Sequence, residues 1–190
     1  MKKHTRRVVG ICAMGMLAIA LGALGQTKAK AHINVPVVAA RAEDVGSIEA
    51  IVRADYECIS GGVGVARQWA RDLTLYDANA RFFQVVKDTK SGGVKISSPT
   101  WQEFTDESDA EMVKGGFSEH ELAHKIYRYG NVATVFSSYV GKISSTGEGG
   151  GRGVNIYQVY YAGGRWWISS ISWDAERLIN EIPPELQPAK

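Results

Sequence analysis

The chain is poor in residues that staple, break or ligate: its 190 residues include two cysteines, five prolines and four histidines. Cys12 lies in an N-terminal apolar run and Cys58 stands alone beyond it. Once that run is removed no intramolecular disulfide can form, and stability has to come from a packed core. Cys58 sits among apolar residues at helical spacing and reads as a small buried hydrophobe, with intermolecular pairing as the alternative. Also missing are an internal repeat and a low-complexity tract beyond the Gly-rich stretch 147–153. There is no basic patch interleaved with aromatics either, which excludes nucleic acid as a partner.

The one long apolar run, Val8 to Leu24, follows Lys2, Lys3, Arg6 and Arg7 and precedes the small residues Ala29 and Ala31. These are the three zones of a secretory signal. Residues 1–31 are therefore expected to be cleaved, leaving a periplasmic or secreted chain with no membrane attachment. The competing reading is an anchor, for which the run is short and glycine-interrupted. Thr5-Arg6-Arg7-Val8-Val9 is similar to a twin-arginine signal, and Lys28 and Lys30 suit that route; the general route and cleavage after Gly25 stay open. The leader holds six of the 22 Lys and Arg and no acid. The remainder has 16 basic against 20 acidic residues, a net charge of −4.

About 160 residues then remain, enough for one core and one domain. Residues 32–41 lack periodicity, contain Pro36 and read as a mobile leader; residues 42–184 form the domain and 185–190 a tail. From Ala42 to Ser60, Val45, Ile48, Ile51, Val52, Tyr56 and Ile59 recur at helical spacing before the stop at Gly61-Gly62. A shorter helix is expected over 65–73, a turn over 75–80, and strands over 81–86 and 94–97. Ser98 or Thr100 caps a further helix carrying Trp101 and Phe104, which ends at Gly115-Gly116.

The last third reads as two hairpins. Ser118–Tyr129 and Val132–Ile143 flank Gly130-Asn131, and Arg152–Ala162 and Arg165–Asp174 flank Gly163-Gly164. Strict alternation would put Trp167, Ser169, Ile171 and Trp173 on one face and Trp166, Ile168, Ser170 and Ser172 on the other. Neither face is polar, so one is expected under helices and the other partly under a partner chain. Helices followed by a run of strands make an α+β protein: a curved antiparallel sheet wrapped around N-terminal helices as a cone.

Gly116-Phe117-Ser118-Glu119-His120-Glu121, Tyr129 to Tyr139, Arg152-Gly153-Val154-Asn155, Arg165-Trp166-Trp167-Ile168 and Trp173 together resemble the nuclear transport factor 2-like superfamily, in particular its SnoaL-like members and an exported branch. The resemblance covers roughly Ala42 to Pro184. It implies a cystatin-like roll with a pocket between helices and concave sheet, and pairing into homodimers through the sheet. Members include isomerases, dehydratases, hydrolases and non-enzymatic binders, so it implies no one reaction. In ketosteroid-isomerase-like members a helix Tyr donates to an oxyanion and a strand carboxylate is the base. Tyr56 matches the first, but the strand position falls near Phe83, where there is no carboxylate.

His120-Glu121-Leu122-Ala123-His124 matches the zinc-hydrolase pattern H-E-x-x-H, with Glu148 as an imaginable third ligand. That chemistry needs a helix. On the strand expected here the two His lie about 13 Å apart, too far to share an ion, so no metal site is assigned. Glu119 and Glu121 would share the face opposite His120 and His124, and could act as an acid and base pair.

The candidate catalytic set is therefore Tyr56, Glu119, His120 and Glu121. Arg152 and Asn155 at the pocket rim could hold an anionic or carbonyl group, unless Arg152 pairs with Glu119 or Glu121. Trp69, Trp101, Phe104, Tyr157, Trp167 and Trp173, with Tyr56, are candidate walls for a small apolar or aromatic molecule, about half of them touching the cavity. No cofactor is expected.

Overall fold

The computed structural model describes residues 32–87, 91–147, 149–177 and 180–188. Residues 1–31, with Cys12, and Glu148 lie outside the described residues.

The expected helix over 42–60 is two helices. α1 (Ala42–Val45) and α2 (Ile48–Ile59) part at Gly46-Ser47, where Ser47 is extended and its Oγ accepts from the Ala50 amide at 3.1 Å. A serine hydroxyl satisfies a free amide at a helix start better than it serves a helix interior, so the chain breaks there. α2 buries Ile48, Ile51, Val52, Tyr56 and Cys58 in the core. Each fully buried aliphatic side chain contributes about 1.5–3 kcal/mol. α3 (Trp69–Leu73) is shorter than the 65–73 expected.

α4 (Trp101–Gly115) starts at a reciprocal cap. Thr100 Oγ1 accepts from the Glu103 amide at 3.2 Å, and Glu103 Oε2 accepts from the Thr100 amide at 2.7 Å. It ends at Gly116, whose φ of 67° is left-handed.

Six strands follow: β1 (Tyr76–Lys87), β2 (Val94–Ser97), β3 (Phe117–Tyr129), β4 (Val132–Ile143), β5 (Gly149–Ala162) and β6 (Arg165–Ala175). They form one sheet in the order β2-β1-β6-β5-β4-β3. Both expected hairpins are present, with φ of 60° and 81° at Gly163 and Gly164. Three expectations need correction. β1 begins at Tyr76, within the stretch assigned to a turn; β5 begins at Gly149, so the Gly-rich stretch is partly strand. The sheet is mixed, because β1 runs parallel to β6. Between those two strands the chain makes α4 and both hairpins, a crossover that local pattern does not reveal.

Two bulges decide what each face carries. In β6 the partners of Gln158 and Val159 are Ser170 and Ile168, leaving Ser169 extra. Beyond it the alternation changes phase, so Trp166, Ile168, Ile171 and Trp173 share the face of Asn155, Tyr157 and Val159, and Trp167 lies on the other. The strict alternation expected for β6 is thereby overturned. In β3 the extra residue is Leu122, and Glu121, His124 and Ile126 face the helices together with Val135, Ser137 and Tyr139.

The other face is covered in part by the chain's own C-terminal segment. Leu186 in a 3₁₀ turn (Pro184–Leu186) is buried, and its carbonyl accepts from Ser138 Oγ at 2.6 Å. Leu186, within the segment assigned to a tail, therefore belongs to the packed domain. The stretch 32–41 is anchored at its start while residues 36–39 stay exposed: the Ile33 amide donates to Asp106 Oδ1 at 2.7 Å, Gln102 Nε2 donates to the Ile33 carbonyl, and Ile33 and Val35 touch the core. Among the described residues no helix is long and apolar enough to cross a membrane.

Gly116 carries two constraints at once, a left-handed φ and a Cβ position 2.5 Å from the Val63 amide nitrogen; Gly147 has φ of 68° but open space around its Cβ position. Gly147→Ala is expected to cost about 1–2 kcal/mol, the price of the left-handed conformation alone. Gly116→Ala should lower the urea midpoint distinctly further. Equal losses would mean that the Val63 contact is not a constraint.

Candidate functional site

Between α2, α4 and the concave sheet lies a cavity of about 390 Å³. Phe82 of β1, Phe104 of α4 and Trp173 of β6 form one wall: the phenyl rings stack at 4.9 Å, and the indole meets them edge-on at 6.2 and 5.8 Å. The opposite side of the lining is polar, with Asp55, Asp72, Glu119, Tyr139 and Asn155.

The carboxyls come from three elements. Asp55 lies on the apolar stripe of α2, one turn beyond Ile51 and Val52, and is 3% exposed. Its oxygens accept from the hydroxyls of Tyr76 and, at 2.8 Å, Tyr157. Burial outweighs these donors and pushes its carboxyl up to about 6. Asp72 in α3 is 2% exposed; its Oδ2 accepts from Trp101 Nε1 at 2.6 Å, while Oδ1 has no hydrogen-bond partner among the described residues. Burial first, and the nearby Asp55 charge second, hold Asp72 well above the ordinary carboxylate range. Glu119 accepts from Asn155 Nδ2 at 3.0 Å, and burial raises it to about 7.

Beside the cavity runs a directed chain of hydrogen bonds. Ser137 Oγ donates to Glu121 Oε1 at 2.6 Å, and Glu121 Oε2 meets His124 Nδ1 at 2.9 Å. With the serine hydrogen committed, Tyr56 donates to Ser137 Oγ at 2.7 Å and accepts from Asn155 Nδ2 at 3.1 Å. The Tyr56 proton therefore points into the sheet. Burial pushes its phenol far up, so it stays protonated.

Of the four candidate catalytic residues, only Glu119 lines the cavity. Tyr56 and Glu121 belong to the hydrogen-bond chain next to it. His120 is exposed on the opposite face, paired across to Val140, whereas the Leu122 bulge turns His124 to the side of Glu121. The H-E-x-x-H motif thus lies on a strand, as expected, but its two His are on opposite faces rather than one.

Of the other candidates, Phe104, Asn155 and Trp173 line the cavity. Arg152 does not. It lies on the outer face, donating to Gln187 Oε1 at 2.8 Å and pairing with Glu176 at 3.2 Å, not with Glu119 or Glu121. Trp167 is also outside, under the Arg165 guanidinium at 3.7 Å. Trp69, Trp101 and Tyr157 are core residues behind the cavity, although Trp101 and Tyr157 hold its acids. Asp55, Asp72, Tyr76 and Tyr139 were missed. Asp55 carried a signal, a charge within an apolar helical stripe; the others needed the tertiary fold.

No protein-family model and no curated protein matches the sequence. Solved structures do. A protein of unknown function with a cystatin-like fold from Nostoc punctiforme is 11% identical over 69% of this chain and 90% of its own, with a TM-score of 0.49. The association domain of CaMKII from C. elegans is 14% identical over 67% and 92%, with a TM-score of 0.48. An NTF2-like protein of unknown function from Shewanella baltica is 12% identical over 68% and 90%, with a TM-score of 0.43.

Raised carboxyls set the sign of a pH effect. Asp55 and Glu119 move from 3.8 to about 6 and from 4.5 to about 7 on folding, so the folded state binds more protons between those values. Their contribution is fully present below about pH 4 and is lost as pH rises through 6 to 7. The urea midpoint is expected to be higher at pH 5 than at pH 8, and Glu119→Gln, which keeps an acceptor for Asn155, should shrink that difference. An unchanged difference would mean Glu119 is not buried as described.

Proposed function

We propose that this is an exported protein that binds a small, largely apolar molecule in the cavity between its helices and sheet. The observation that carries it is the cavity itself: about 390 Å³, with an aromatic wall of Phe82, Phe104 and Trp173 facing a polar side that includes Asp55, Asp72, Glu119 and Asn155. Ordinary cores are packed without voids much larger than a water, whereas ligand sites are apolar hollows of roughly 300–1,000 Å³ with a small number of orienting polar atoms. Export rests on the leader-like residues 1–31, and pairing into a homodimer on the family resemblance; both belong to the same reading.

Trp173 in the wall makes binding readable. Titration with 2-naphthol, a neutral aromatic alcohol, should quench tryptophan fluorescence saturably. Ser108→Trp, which places an indole into the cavity from α4, should abolish that signal while leaving the melting temperature within a few degrees. Native mass spectrometry of the same sample, recovered from the periplasm, reads the cleaved mass and subunit number. Absence of saturable binding by the natural chain, or equal binding by Ser108→Trp, sinks the pocket reading.

One observation favours a catalytic variant of this reading. Glu119, near 7, lines the cavity beside Asn155 and is poised to exchange a proton with a bound molecule at neutral pH. An isomerase-, dehydratase- or hydrolase-type step would then lose turnover in Glu119→Gln by about a hundredfold or more while 2-naphthol affinity is kept. Turnover that survives the substitution removes Glu119 from any such role.

A further inference from the structure

We infer that the cavity takes a ligand bearing an ammonium group, its nitrogen at the Asp72 carboxyl and its apolar body against Phe82, Phe104 and Trp173. This rests on the cavity being a binding site and specifies the chemistry of its occupant.

Asp72 Oδ1 is the starting point. The residue is 2% exposed, lines the cavity, and this oxygen has no hydrogen-bond partner among the described residues although its sister accepts from Trp101. A buried carboxyl with one oxygen unpartnered holds a proton while the cavity is empty, and a cation brought to it releases that proton to solvent and pairs the charge instead. The nearby cation is already engaged. Arg71 donates to both Asp44 oxygens at 2.7 and 2.8 Å and to Glu57 at 2.7 Å.

The surroundings favour a cation from the ligand. Asp55 and Glu119 also line the cavity, and the lining contains no Lys, Arg or His among the described residues. A cation entering this hollow would meet acids of one sign, each of which is easier to ionise beside it. Asp55 and Glu119 have their own donors in Tyr76, Tyr157 and Asn155, which leaves Asp72 Oδ1 as the orphan acceptor. The aromatic wall adds to the match, since ring faces attract a cation as well as an apolar body.

The test compares two probes of nearly the same shape, 2-phenylethylamine and 2-phenylethanol, by calorimetry at pH 7.5 with 2-naphthol as the pocket control. The amine is charged at that pH. It should bind the natural chain at least about tenfold more tightly than the alcohol, a difference of about 1.4 kcal/mol. Asp72→Asn keeps an acceptor for the Trp101 indole and should bring the amine to within about twofold of the alcohol.

If 2-naphthol binds but the amine has no advantage over the alcohol, the ammonium inference falls and the pocket reading stands. An amine advantage that persists in Asp72→Asn overturns the assignment to Asp72. If none of the three binds, both fall. Should Asp72→Asn fail to fold, the comparison of the two probes on the natural chain still decides the ligand class.

Discussion

Asp55 and Tyr56, neighbours on α2, tie that helix to three strands, and the rest of the molecule is arranged around the tie. Asp55 accepts from Tyr76 of β1 and Tyr157 of β5, while Tyr56 joins Ser137 of β4 and Asn155 of β5. Buried hydroxyls, amides and carboxyls need partners, and here each is the partner of another. The helix therefore sits over the sheet in one position. An apolar interface alone would permit sliding, because dispersion contacts are not directional.

The same tie shapes the hollow. Tyr76 and Tyr157 are held to Asp55 and Trp101 to Asp72, and the space left beside them is bounded by Phe82, Phe104 and Trp173. Acids kept near neutrality by burial line that space. Burial makes them sensitive to whatever enters it, since any donor or cation brought close repays part of their desolvation.

Bulges account for much of what local pattern misjudged. An extra residue at Ser169 moves Ile171 and Trp173 to the face of Trp166 and Ile168, and sends Trp167 outside. At Leu122 the same device separates His120 from His124 and brings His124 to Glu121. Period-two alternation predicts a strand's faces only up to its first bulge. Nothing in the residues around Ser169 or Leu122 marks the extra position, because a bulge is a relation between two strands.

Hairpin turns at Gly130 and Gly163-Gly164, the Thr100 cap and the apolar stripe of α2 were all legible in the sequence, because each depends on residues within a few positions of one another. These local rules, together with composition, determined the α+β class, the antiparallel hairpins and the position of Glu119, Asn155 and Trp173 on elements that could face a pocket. The tertiary structure alone decided that β1 would lie parallel to β6, that Arg152 would face outward, and that Asp55 of α2, Asp72 of α3 and Glu119 of β3 would meet in one cavity. Long-range pairing sets those outcomes: which groups become buried together, and hence how hard burial pushes their carboxyls, follows from contacts between residues far apart in the chain.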